Sequence, residues 1–385
     1  MNDFDDIRPY HDSEVRLILD RLLRHPELAD AVARLKFPRA AGPLGWLLRP
    51  LVQRAMRRQM AGVETVLGFQ EVVKHYMQRM IDDTTTSVTH SGLDKLDAKG
   101  AYLFVSNHRD IAMDPAFVNW TLYHAGFNTL RIAIGDNLLT KDYVSDLMRL
   151  NKSFIVNRSA RAPREKLKAA KKLSAYIHHS IAEEKANIWI AQREGRAKDG
   201  KDVTNSAVVG MFSLSRPKSQ PFADYIRELN IVPVSISYEW DPCDQAKARE
   251  LHEQRSSGQY QKAEHEDVKS IATGIAGQKG HVHVAFGDVL EGDFDNNDEV
   301  VAELDRQVVE NYVLHPSNCL AWEQLNGETP AVSCSGQDGE SAPFDPKKVK
   351  TAREQFEARL AALPAEYRPL VLEMYANPVA AKLAR

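Results

Sequence analysis

Short apolar or β-branched runs that alternate with helical patterns constrain this chain more than any other feature of its sequence. The runs lie at 84–92, 101–106, 130–134, 153–156, 187–191, 231–238 and 281–286. Helical periodicity fills the intervals at 115–125, 140–150, 164–184 and 206–228. Strands that alternate with helices pair largely in parallel and need cover on both faces. The expected fold is therefore α/β: a mostly parallel or mixed central sheet flanked by helices, with helical N-terminal and C-terminal extensions.

The pattern divides the chain into four stretches. Residues 1–82 form a helical N-terminal region, with a helical pair at 12–36 broken at His25-Pro26, and this region is a candidate membrane-facing cap. Residues 83–325 make the α/β domain. Residues 326–346, rich in Gly, Ser, Pro and Asp, read as a linker, and 347–385 as a helical tail that packs back on the domain. The highly charged segment 244–269 reads as a solvated excursion between the last two strands.

A formal net charge of −3 over 385 residues gives no global basic field, so nucleic acid is not the expected partner. Cys243, Cys319 and Cys334 form neither a metal-ligand spacing nor an even-numbered disulfide framework, which favours a reducing compartment and a cytoplasmic location. No apolar run approaches the ~20 residues that span a bilayer, and the acidic start lacks the layout of a signal peptide. At 45–60, Trp46, Leu47, Leu48, Leu51, Val52, Met56 and Met60 share a helix with Arg49, Arg54, Arg57 and Arg58. Such a helix either lies in the headgroup region on the cytoplasmic face of an anionic membrane or is a core helix with a solvated basic back. Oligomeric state is not legible.

The candidate reactive centre is the loop after 101–106, where AYLFVSNHRDIAMDPAFVNWTL passes from an apolar run through Asn107-His108-Arg109-Asp110 to Asp114-Pro115. A histidine at a strand end with carboxylates two and six residues on is a candidate general base: one carboxylate fixes the tautomer and the other ring nitrogen takes a proton. Asp114 also reads as a helix N-cap, because Pro is favoured at the first helical position and Asp just before it. Two later strands end in polar residues, Asn157-Arg158-Ser159 and Arg193-Glu194-Gly195-Arg196. Adjacent ends in a parallel sheet share one rim, so Arg109, Arg158, Arg193 and Arg196 are expected to converge on an anion, with Gly195 admitting close approach of backbone.

The order Asn107-His108-Arg109…Asp114, Phe154-Ile155-Val156-Asn157-Arg158-Ser159, Glu194-Gly195-Arg196 and Ile231-Val232-Pro233-Val234-Ser235-Ile236-Ser237-Tyr238 resembles the four blocks of the glycerolipid acyltransferases, over about 85–240. That family includes glycerol-3-phosphate and 1-acylglycerol-3-phosphate acyltransferases. The resemblance implies acyl transfer from acyl-CoA or an acyl-carrier protein to a hydroxyl of a phosphorylated glycerol, with no metal and no bound cofactor. It implies His108 as base, Asp114 as its orienter, and Arg109, Arg158 and Arg196 on the substrate phosphate, with Gly195 admitting it. Glu194 then positions an arginine or binds a hydroxyl, and the strand around Pro233 lines the pocket. Where the family pattern has four residues between His and Asp, this chain has five, Arg109 to Met113, which makes Asp110 an alternative orienter.

Two other classes compete. A metal-dependent phosphohydrolase would draw ligands from Asn107, His108, Asp110, Asp114, Asp136, His281 and His283, although there is no Asp-x-His upstream and no dense His/Asp cluster. A non-catalytic peripheral membrane protein would rely on the 45–60 helix, against the presence of a full candidate set of base, orienter and arginines.

Overall fold

The computed structural model describes residues 3–37, 41–335 and 340–385. In chain order the elements begin with α1 (Asp12–Leu22), α2 (Pro26–Lys36), α3 (Ala41–Gln59), α4 (Val66–Thr84), β1 (Thr85–Ser91) and β2 (Leu103–Ser106). Next come α5 (Met113–His124), β3 (Arg131–Gly135), α6 (Asp142–Leu150), β4 (Ser153–Val156), α7 (Pro163–Ala182) and β5 (Ile188–Ala191). Then follow α8 (Ser206–Phe212), α9 (Phe222–Glu228), β6 (Ile231–Tyr238), α10 (Asp244–Ser257), α11 (Glu266–Ala276) and β7 (Gly280–Phe286). The chain closes with α12 (Asn297–Asn311), α13 (Pro316–Asn326), β8 (Ser333–Ser335), β9 (Ser341–Pro343), α14 (Lys350–Ala361) and α15 (Arg368–Leu383).

Two compact units result. The first comprises Met1–Arg79 and Arg131–Ala169. Its core joins one stripe of α1 (Val15, Ile18, Leu19, Leu22) to Val63, Val66, Phe69 and Leu150, the i, i+3, i+4, i+7 spacing of an amphipathic helix. Pro26 starts α2, where its missing N–H costs nothing. In the same unit β3 pairs in parallel with β4.

The second unit comprises Met80–Leu130 and Ala170–Arg385. Its sheet runs β1-β7-β6-β2-β5 and is mixed: β6 and β7 are antiparallel, and the other neighbours are parallel. β2 and β6 are buried along their whole length, as strands covered on both faces must be. A separate core forms where α13, α14 and α15 close around Trp240, with Leu320, Phe356, Leu360, Val371 and Met374 among its members.

Three expectations change in detail. The periodic segment 206–228 is two short helices, α8 and α9, with Pro217 and Pro221 in the connection. The excursion at 244–269 is not solvated throughout, since Asp244, Lys247, Ala248 and Glu250 are buried on one face of α10. The stretch read as a linker carries the antiparallel β8–β9 ladder, and its residues 336–339 lie outside the described residues.

Candidate active site

β2 stops at Ser106 because the next side chain takes over the pairing. Asn107 Oδ1 accepts from the Ile236 backbone N–H at 2.8 Å, and Nδ2 donates to the Ile236 carbonyl at 3.0 Å. An amide side chain thus mimics a further strand residue and releases the main chain from the sheet. His108 follows at the carboxyl edge of β2, its side chain 13% exposed, with its ring edge-on to Trp189 of β5 at 6.0 Å.

Asp114 meets the imidazole. Its Oδ2 accepts from His108 Nδ1 at 2.9 Å and also from the backbone N–H groups of Arg109 (2.6 Å) and Asp110 (2.9 Å). Its Oδ1 accepts from the Tyr238 hydroxyl at 2.7 Å. With a carboxylate on Nδ1, the ring carries its proton there and presents Nε2 as an acceptor. Nε2 has no protein partner among the described residues. Burial, and after it the Asp114 charge, push the Tyr238 phenol well above its ordinary value, so it stays a donor.

Asp114 is not the N-cap expected from its place before Pro115. The helix begins at Met113, two residues before the expected Pro115, and the capping carboxylate is Asp110, whose Oδ1 accepts from the N–H groups of Ala112 and Met113 at 2.9 Å each. The additional residue in the loop therefore separates two jobs: Asp110 holds the helix end and Asp114 holds the ring. Burial first, and the neighbouring Asp114 charge second, push the Asp110 carboxyl up.

The expected arginines have different surroundings. Arg109 is buried, and its Nη2 donates to Asp202 Oδ2 at 2.5 Å and to the Gly200 carbonyl at 3.1 Å, so the guanidinium expected on a phosphate is committed within the protein. Arg196, also buried, donates from Nη2 to Ser270 Oγ at 3.2 Å, while its Nη1 has no hydrogen-bond partner among the described residues. Arg193 is half-buried and Glu194 exposed. Gly195 turns the loop at φ +72°, and the next residues return to His108 through the Ala197 N–H to His108 carbonyl bond at 2.8 Å. Arg158 lies in the first unit on the loop after β4, its backbone N–H bonded to Asp136 Oδ1 at 3.0 Å. No motif singles out Asp202, Asp241 or Lys247. Tyr238 closes the fourth motif block, on a strand that neighbours β2, although the block assigns it no role.

His281 and His283 sit in a chain of hydroxyls. Thr89 Oγ1 lies 2.6 Å from His281 Nε2 and 2.7 Å from His283 Nδ1, with Ser335 and Ser91 at the far ring nitrogens, 3.1 and 3.0 Å away. Among the described residues no group of three or more His, Cys, Asp or Glu side chains is arranged to hold a metal ion. Burial first, then the His281 and His90 charges, pull the His283 imidazole down to about 4. The unfolded ring titrates near ~6.5, so below that pH the unfolded state binds more protons and stability falls, by up to about 3 kcal/mol as pH approaches the folded value. Urea midpoints measured from pH 7.5 to 4.5 are expected to drop less for His283→Gln than for wild type; parallel drops would show that this ring is not the titrating group.

Residues 87–237 match the protein-family model described as Acyltransferase. Among solved structures, the crystal structure of the 1-acyl-sn-glycerophosphate (LPA) acyltransferase PlsC from Thermotoga maritima is similar at 14% identity and a TM-score of 0.35, over 74% of this chain and 95% of that one. No curated protein matches the chain.

Proposed function

We propose, from the match of residues 87–237 to the Acyltransferase family model, that the protein moves a fatty acyl group from a thioester donor to a hydroxyl of glycerol-3-phosphate or 1-acylglycerol-3-phosphate. One observation carries the reading: His108 Nδ1 is fixed by Asp114 while Nε2 has no protein partner among the described residues. In the proposed step Nε2 takes the acceptor's hydroxyl proton as its oxygen attacks the thioester carbonyl carbon. Collapse of the tetrahedral intermediate breaks the C–S bond, and the imidazolium returns the proton to the departing thiolate, so that ester and thiol leave a neutral His108. Asp114, hydrogen-bonded at Nδ1, stabilises the transient imidazolium. As written, the step balances with donor, acceptor and His108 alone, the donor being acyl-CoA or an acyl-carrier protein.

The acceptor's phosphate is assigned to Arg196, because a buried guanidinium nitrogen without a partner is costly until an anion meets it. Gly195 belongs to the same proposal, with Glu194 positioning an arginine or a hydroxyl, and Arg158 is proposed separately as a phosphate-binding residue. Arg109 leaves it, since Asp202 already neutralises its charge.

We place the reaction in phospholipid synthesis at the cytoplasmic face of a membrane. Trp46, Leu47 and Leu51 are 73%, 46% and 64% exposed on α3, which also carries exposed Arg54, Arg57 and Arg58. Among the described residues no helix is long and apolar enough to cross a bilayer.

The test offers acyl-CoA or acyl-carrier protein as donor, with glycerol-3-phosphate in solution or its 1-acyl derivative in anionic vesicles as acceptor. Arg196→Ala is expected to raise KM for the phosphorylated acceptor about 10–100-fold, the worth of a charge-assisted hydrogen bond, with little change in KM for the donor. Equal rises for both substrates would remove Arg196 from the phosphate. Protein that stays out of the vesicle pellet would remove the membrane.

A further inference from the structure

The loop that bears His108 has left the sheet, so its backbone polar groups need partners elsewhere. Two supports meet it, and both lead to parts of the chain beyond the family-matched segment 87–237.

The first is Lys247 on α10. Its side chain is 1% exposed, and Nζ donates to the carbonyl oxygen of Arg109, the residue after His108, at 2.7 Å and to Asp241 Oδ2 at 2.5 Å. Burial alone would push the Asp241 carboxyl up, but the charge and hydrogen bond of Lys247, with the Cys243 N–H and the Arg196 charge, together hold the group below its ordinary value. Asp241 is anchored in turn by the C-terminal helices. Its N–H donates to the Tyr375 hydroxyl at 2.8 Å, and Arg359 donates to its carbonyl at 2.6 Å and to Asp244 Oδ2 at 2.5 Å.

The second support approaches through the segment 199–202. Asp202 Oδ2 accepts from both Arg109 Nη2 (2.5 Å) and Asn107 Nδ2 (3.1 Å), the residues on either side of His108. This segment is pressed against α15: Asn377 Nδ2 donates to the Asp199 carbonyl at 2.6 Å, and a Cβ on Gly200, at φ +78°, would stand 2.0 Å from the Met374 carbonyl oxygen. Only glycine fits there.

We propose that Lys247 is a positioning residue for His108, and that α14 and α15 carry the two supports that fix the His108 loop. The C-terminal helices are thus part of the reaction machinery. This rests on His108 as base for its effect on turnover, but the loop geometry can be measured without turnover. Replacing a buried ion pair by neutral groups is often tolerated, whereas removing one partner is not. The purpose of this pair is then the Arg109 carbonyl, which an apolar side chain cannot hold.

The experiment compares wild type, Lys247→Met, and the paired variant Lys247→Met with Asp241→Asn, which leaves neither member of the pair as a lone charge if the single change fails to fold. In the paired variant kcat is expected to fall about 10²-fold, the cost of a misplacement near 1 Å, with KM for donor and acceptor within about threefold of wild type. The amides of Arg109 and Asp110, both bonded to Asp114, are expected to exchange with solvent at least about tenfold faster, while amides of β6 keep their protection. A paired variant with wild-type kcat and wild-type exchange at these amides overturns the proposal. If wild type transfers no acyl group, faster exchange in the variant still supports the anchoring and the assigned reaction is what fails.

Discussion

His108→Ala is expected to lower kcat/KM for acyl transfer by about 10²–10⁴-fold while the protein stays folded. The ring lies at the end of β2 with an open Nε2, and its contacts with the protein are one hydrogen bond to Asp114, an edge-on approach to Trp189 and its own backbone. Truncation therefore removes the proton acceptor while the strand pairing made by Asn107 remains. Steady-state kinetics beside a urea titration check this. Undiminished transfer by a folded His108→Ala protein would sink the assigned mechanism.

The second large effect separates two carboxylates four residues apart. In Asp114→Asn an amide replaces the acceptor at Nδ1, so the ring is free to carry its proton on Nε2, where no base function remains. The analogous change in a serine-protease triad costs about 10⁴-fold, and a loss of about 10³–10⁴-fold is expected here. Asp110→Ala should instead cost roughly 1 kcal/mol of stability, the worth of a helix cap, and leave the folded fraction active. The reverse outcome, a silent Asp114→Asn beside an inactive Asp110→Ala, would make Asp110 the orienter.

What was legible in the sequence follows from what each signal measures. The bounds expected for β4 and β6, 153–156 and 231–238, are those observed, because apolar runs flanked by turns leave little freedom of register. Asp114 was misread as a cap because Asp before Pro fits that position; the helix starts two residues earlier than expected, and Asp110 reaches its free N–H groups. Arg109 looked like a phosphate clamp because it shares a strand-end position with the other arginines, and the acid that engages it, Asp202, is 93 residues away. Lys247 was invisible for a related reason. Hydropathy counts a lysine in a charged helix as solvated, whereas its partners here are a backbone carbonyl 138 residues earlier and an aspartate that the C-terminal helices hold in place. Local patterns report periodicity well, but they do not report long-range charge pairing.

The central claim is transfer itself, and the most direct measurement follows thiol release and ester formation together in wild-type protein supplied with acyl-CoA, with and without the phosphorylated glycerol acceptor. The account predicts one thiol for each ester bond formed, strict dependence on the acceptor, and loss of both signals in His108→Ala. Thiol released at the same rate without acceptor, or no ester from either donor with either acceptor, would contradict it.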